Sequence, residues 1–433
     1  MTAAPASLGR LWALMMTVFV DMVGFLMVLP VAPLYAKDLG APAILITMMI
    51  SFYAVAQLVT SPLWGRLSDR HGRRPVLMIG ITISMVSHAV FGLACTDWAA
   101  DRVDHKALIA LILLSRFVQG AGGAMTGVVQ AYVADAIVPE ERAKALGWIS
   151  SATSAGVMLG PALGSIAVTV GDAGDAAVGF LAAALCVINL LFIRGWLPES
   201  FSSESRARAN KMPQRGLLRR MAEVLRHPRR PVERLIWVYL VAMMAFMSMN
   251  SVLALFLNER FGMTSKTVGY VYTFVGTISL VMRAVLLGPA VQRFGERGVM
   301  RLGLAALTAG FALQPLASSL PAFAAVIVLI PIGTALLFPA TTSLVTRYAP
   351  QHEVGATMGV QQAYGAVARL LGPIGAGAAF QYLGVGSPFW ISAALAAVTF
   401  VFALGLEPPP RPRTLEAPEA GTPVPAPVTS RNR

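Results

Sequence analysis

Asp21, Arg116, Arg283 and Arg369 each lie inside a long apolar run of the sequence. Holding a charge at the centre of a membrane helix costs about 2.5–3.5 kcal/mol on insertion scales, so such residues mark function by default. Asp21 is the only carboxylate well inside an apolar run of the N-terminal half. A carboxyl group there can load and release a proton as its contact with water alternates. The structural alternative is a brace, with Asp21 paired to a helix end or a polar neighbour. For Arg116 the alternative is a guanidinium that packs or snorkels.

Gln57, Gln119, Asn250, Gln361, Gln362 and Arg369 are polar residues on apolar segments. Phe25, Tyr53, Phe246, Tyr272, Phe338, Tyr364 and Trp390 are aromatic residues near them. Together they are candidates to line a cavity for a small amphipathic molecule, although aromatics in membrane helices also simply pack. Asp97, Asp101, Asp104 and His105 fit no metal-ligand spacing and read as a solvated loop. Cys95 and Cys186 lie in apolar runs and form no disulfide framework. No phosphate-binding loop, His-Glu-x-x-His or nucleophile elbow occurs. No enzyme, metal or cofactor is expected.

The elements that must hold these residues are membrane helices. Apolar residues make up 56% of the chain and charged residues 13%, against about 25% charged in a soluble domain. Mean hydropathy is +0.67. A bilayer core takes about 20 apolar residues per helix. Such runs recur at 11–36, 43–65, 75–96, 106–133, 143–169, 176–195, 232–257, 266–290, 298–317, 321–346, 355–382 and 386–405. The first is too long for a signal-peptide core and no convincing cleavage site follows it. Residues 198–231 read as a basic connector, and 407–433 as a disordered Pro-rich tail.

The net charge of +13 is spread between the runs, which argues for membrane topology rather than a nucleic-acid partner. With the N-terminus inside, cytoplasmic segments hold 26 of the 34 Lys and Arg, outer loops five and the membrane three. Both termini are then cytoplasmic, in the inner membrane of the cell.

The chain also repeats itself. Glu141, Gly147 and Gly160-Pro161 match Glu353, Gly359 and Gly372-Pro373 at one offset of 212. Gly65, Arg70, Gly72 and Arg74 match Gly288, Arg293, Gly295 and Arg297 at an offset of 223. Two six-helix halves, 1–197 and 232–406, follow, with a site at their interface.

Four motifs then carry a resemblance. Gly65-Arg-Leu-Ser-Asp69-Arg70-His-Gly72-Arg73-Arg74, between the second and third runs, resembles the loop signature G-x-x-x-D-R-x-G-R-[RK] of the major facilitator superfamily. Arg116-Phe-Val-Gln119-Gly120-Ala-Gly122-Gly-Ala124 resembles its R-x-x-Q-G-x-G-x-A motif. Gly156-Val-Met-Leu-Gly160-Pro161-Ala-Leu-Gly164 resembles the antiporter motif, with Ser165 in place of the final Gly. Asp21 to Pro30 is similar to the first-helix motif D-x-x-G-x-x-x-x-x-P of tetracycline-type efflux proteins. In the C-terminal copy of the loop signature, Gln292 and Glu296 replace Asp69 and Arg73.

The resemblance implies an all-α membrane protein of twelve helices in two pseudo-symmetric halves. It implies proton-coupled export of small amphipathic compounds by alternating access, with the 12-helix drug:proton antiporters as the nearest branch. Asp69, Arg73 and Asp135 would hold a gate on the inner face, and Asp21 and Arg116 would couple protons. A carboxylate at position 69 would be favoured by the N-terminus of the eleventh helix. Partners are then a small-molecule substrate, protons and lipid, with a monomer expected. An uptake transporter or symporter, a lipid-linked metabolite flippase, and an enzyme or receptor on this fold are the rival readings.

Overall fold

The computed structural model describes residues 5–200, 217–350 and 353–406. The expected disordered tail and residues 201–216 of the connector lie outside the described residues. Among the described residues every regular element is a helix. These are α1 (Pro5–Asp38), α2 (Ala43–His71), α3 (Arg73–Ala94), α4 (Asp97–Arg102), α5 (His105–Gly122), α6 (Thr126–Ala136), α7 (Pro139–Thr169) and α8 (Ala176–Trp196). After the connector come α9 (Leu217–Arg226), α10 (Pro231–Phe261), α11 (Ser265–Val281), α12 (Leu287–Leu313), α13 (Leu320–Ile327), α14 (Leu329–Tyr348), α15 (Val354–Leu383) and α16 (Ser387–Leu404).

Ten described helical stretches are long and apolar enough to cross a bilayer. One of them, Ser265–Leu316, has 52 residues, far more than one crossing needs. It breaks at Gly295, inside α12, where φ is 65° and ψ 166°, so α11 with the first turns of α12 makes one crossing and the rest of α12 the next. α15, 30 residues long and rich in Gly and Ala, is outside the ten and brings the count to the expected twelve.

Three details depart from the run boundaries. α2 continues past residue 65 to His71, so Asp69 and Arg70 lie on a helix, which ends at Gly72 with φ 101°. A side chain is rarely tolerated at that φ. The fourth run breaks between Gly122 and Thr126 into α5 and α6. The eighth run passes into a π-helical turn, Met282–Leu286, which carries Arg283. Such a turn widens the helix and re-aims its side chains.

α1 packs on α7 and α8, α3 on α5 and α8, and α2 on α5. In the C-terminal set α12 packs on α14 and α16, and α10 on α15 and α16. The two sets meet chiefly where α7 lies on α11 and α2 on α15.

Candidate functional site

Small residues bring the helices close enough to shape the site. A Cβ on Gly156, Gly160 or Gly164 of α7 would fall within 3 Å of Met22, Leu26 or Met27 of α1. Pro161 and Ser165 face the other set, where a Cβ on Gly269 of α11 would fall 2.1 Å from the Pro161 carbonyl. α7 is thus a shared wall between α1 and α11. Close packing of this kind is what small residues provide in membrane helices.

Two cavities flank this wall. The first, about 370 Å³, is lined from α1, α3, α6 and α7 and includes Asp21, Thr126, Gln130 and Arg283. The second, about 320 Å³, lies between the two sets and is lined by Phe246, Asn250, Tyr272, Arg283, Phe338 and Arg369 among others. Both are the size of small-molecule sites. Ser154, Val157 and Arg283 line both. Five of the expected cavity residues, Phe246, Asn250, Tyr272, Phe338 and Arg369, therefore come together.

The others sit elsewhere. Phe25 and Tyr53 stack at 4.5 Å and line a small space of about 30 Å³ with Arg116. Gln119 is buried and accepts a hydrogen bond from Arg116 Nη1 at 2.5 Å. Gln361 is buried and donates to Thr342 Oγ1 at 3.0 Å. Tyr364 donates to the Met221 carbonyl of α9 at 2.8 Å, where it anchors the connector helix. Gln57 is half-buried, and Gln362 and Trp390 are exposed; none of the three lines the cavities above.

Asp21 and Arg116 line different spaces. Arg116 lies over the Phe91 ring at 4.9 Å, and its Nη2 has no hydrogen-bond partner among the described residues. Gln119 Nε2 continues the chain to His88 Nε2 at 3.1 Å, giving an Arg116–Gln119–His88 row inside the N-terminal set.

At the basic face, Arg73 is buried and joins three groups. It donates to Asp135 Oδ2 at 3.0 Å, to Asp69 Oδ1 at 2.5 Å and to Ser68 Oγ at 2.7 Å. Asp69 thus engages its own set. The N-terminus of α3 is capped by Glu199, whose carboxylate accepts from the Arg73 and Arg74 backbone N–H groups at 2.9 and 3.1 Å. A carboxylate at that position satisfies free N–H groups and opposes the helix dipole. A Cβ at Gly72 would fall 2.6 Å from the same carboxylate.

The two sets are tied at the opposite face. Lys37 donates to Asn258 Oδ1 at 2.6 Å and pairs with Glu259. Ser165 Oγ donates to the Ser265 carbonyl and accepts from Gly269 N–H, both at 2.9 Å. Ser265 Oγ donates to Asp175 Oδ2 at 3.3 Å, and Ser51 Oγ to the Leu370 carbonyl at 2.8 Å. Burial pushes the Asp175 carboxyl up to about 6; Asp38 adds to the rise, while the Ser265 bond and Lys266 oppose it. Toward the basic face α2 and α15 part. A Cβ at Gly65, Gly355 or Gly359 would meet nothing within 4 Å. Among the described residues the bonds between the two sets lie toward the one face, and the expected bridge from Asp69 to the start of α15 would belong to a state closed at the basic face.

The Major Facilitator Superfamily model matches residues 14–288 and 284–432. The chain belongs to the Major Facilitator Superfamily. It is 27% identical over 399 residues to multidrug resistance protein 2 of Bacillus subtilis (strain 168), covering 91% of this chain and 92% of that protein. It is 24% identical over 357 residues to the class B tetracycline resistance protein of Escherichia coli, covering 82% and 84%. The crystal structure of the human organic anion transporter MFSD10 (TETRAN) superposes with a TM-score of 0.64 at 24% identity, over 92% of this chain and 100% of that one. That likeness establishes the fold.

Sequence reasoning missed several residues of this superfamily member's site. His88, a lone histidine in the third run, stands out only once Gln119 is seen to face it. Glu199 fell inside the basic connector 198–231 and carried no motif. Ser165 registered as a departure from a motif, and its bonds across the two sets were not legible. Arg283 was counted as an intramembrane charge, and the π-turn that aims it had no signature.

Proposed function

We propose that this Major Facilitator Superfamily transporter exports small amphipathic organic compounds in exchange for protons. The observation that supports it most is the pair of cavities meeting at Ser154, Val157 and Arg283, with Asp21 on the wall. Its similarity to multidrug and tetracycline resistance proteins supports the same reading. Residues 1–197 and 232–406 would rock about the α7–α11 and α2–α15 contacts. The connector 198–231 and both termini would lie in the cytoplasm of the inner membrane, and the protein would work as a monomer without a nucleic-acid partner.

In this reading the Gly156, Gly160, Pro161 and Gly164 face fixes α7 against α1, so α7 moves with its own half. The Gly65-to-Arg74 loop, with Asp135, holds the inner gate when it shuts. Asp21 carries the proton, and Arg116 sets the polarity of the core beside it. Uptake of a panel of labelled amphipathic compounds into inverted vesicles, with and without an imposed proton gradient, tests the reading. Export predicts gradient-dependent accumulation; accumulation only in right-side-out vesicles would make the protein an importer.

A further inference from the structure

The second cavity has an unusual charge balance for a space between membrane helices. Its described lining carries two guanidinium groups, Arg283 and Arg369, and no acidic side chain. Neither arginine makes a hydrogen bond or ion pair within the described residues. The rest of the lining is mainly apolar, with Met243, Phe246, Met247 and Phe338 among it, and its uncharged polar side chains are Ser154, Asn250, Tyr272, Ser279 and Thr334. Asp21 is the one acid on the adjoining cavity, and Arg283 reaches that cavity as well. One carboxylate set against two guanidinium groups leaves one positive charge over.

Positive charge in a low-dielectric space needs a counter-charge. Guanidinium is suited to carboxylate and sulfonate because its planar fork pairs with two oxygens at once. The methionine and phenylalanine walls suit an apolar or aromatic body, with methionine adapting to its shape. We infer that the second cavity binds amphipathic organic monoanions, an aromatic or aliphatic body carrying one carboxylate or sulfonate, with the acid group held by Arg283 and Arg369. This rests on the transport reading above and names its substrate class. Arg283 sits at the junction of the cavities and so turns either to Asp21 or to the bound anion.

The test is binding to the purified full-length protein in nanodiscs at neutral pH, measured by titration calorimetry. The probes are 2-naphthoate and (2-naphthyl)methylammonium, which share a ring system and differ in the sign of the charge. The wild type should bind naphthoate about tenfold or more tightly than the ammonium probe. Arg369→Gln and Arg283→Gln should each remove most of that preference, and Arg369→Lys should keep part of it. Naphthoate binding that is absent, or no tighter than that of the ammonium probe, overturns the proposal. So does a preference unchanged in both glutamine variants of a protein that remains folded by circular dichroism. Binding needs no gradient, so a wild type that prefers naphthoate yet accumulates nothing would leave this site standing while the export reading failed.

Discussion

Asp21 is half-buried on the wall of a cavity and makes no side-chain bond within the described residues. In the proposed export cycle that position would suit a titrating group better than a brace. The Asp21→Asn variant keeps size and most hydrogen bonding but cannot carry a proton. It should lose gradient-driven accumulation in vesicles while downhill exchange of labelled substrate survives; uphill accumulation by the variant would move coupling to another residue. Arg73 shows the opposite design. Its side chain is 7% exposed and that of its partner Asp135 14%. Removing Arg73 withdraws its bonds from Asp69, Asp135 and Ser68 together, and breaking a largely buried ion pair costs roughly 3 kcal/mol. Arg73→Ala should therefore lower the thermal unfolding midpoint in detergent clearly, whereas Arg70→Ala, on the same motif, should lower it less. At this scale the sequence revealed which charges matter, because an ionisable residue in an apolar run stands out whatever its neighbours. It did not reveal partners. Arg116 sits with Gln119 and His88 instead of Asp21, since side-chain reach across three helices depends on rotation about each axis.

The helices divide into those that pack within one set and those that cross between sets, and glycine substitutions should separate the two. Gly164→Val pushes a side chain into the Met27 backbone, where a Cβ would lie 2.4 Å from the carbonyl oxygen. Overpacking of this kind costs about 1–3 kcal/mol, so unfolding in detergent should occur at lower temperature. Gly269→Val acts across the sets instead and should part them at the closed face. Spin labels on Pro42→Cys and Tyr382→Cys, at the closed-face ends of α2 and α15, would show a longer distance in Gly269→Val and little change in Gly164→Val. The same labels test Asp175. A hydrated carboxyl titrates near 4, and burial at the closed face raises this one to about 6. The protonated form is thus the one closure favours: that contribution is complete below about pH 4 and is lost as pH rises through about 6. The face should open as pH rises across that window, and Asp175→Asn should flatten the response. Helix positions were legible in the sequence because a bilayer demands about 20 apolar residues for each crossing. The break at Gly123 and the π-turn at Met282–Leu286 were not, because backbone irregularity inside an apolar run leaves the composition unchanged.

For the whole molecule, the contacts on one face and the parted α2 and α15 on the other describe one end-state of a two-state cycle. Membership of the Major Facilitator Superfamily was legible from the spacing of Gly65, Asp69, Gly72 and Arg73, because loop motifs combine turn geometry with charge in a fixed register. The state of the molecule was not, since both states must be compatible with one sequence. Orientation is open to a direct check. Cys95 and Cys186 are buried, so a Glu204→Cys variant, with its new thiol in the connector, offers one reactive thiol. It should label with a membrane-impermeant maleimide only after permeabilisation. Labelling of intact cells would invert the topology.

The central claim is that a proton gradient drives substrate movement through the cavities beside α7. The most direct measurement is accumulation of a labelled amphipathic compound in proteoliposomes of the purified protein, with an imposed pH step and then with a protonophore. Accumulation should rise above the outside concentration, collapse when the protonophore is added, and be absent in Asp21→Asn. Accumulation that is the same with and without the pH step would contradict it.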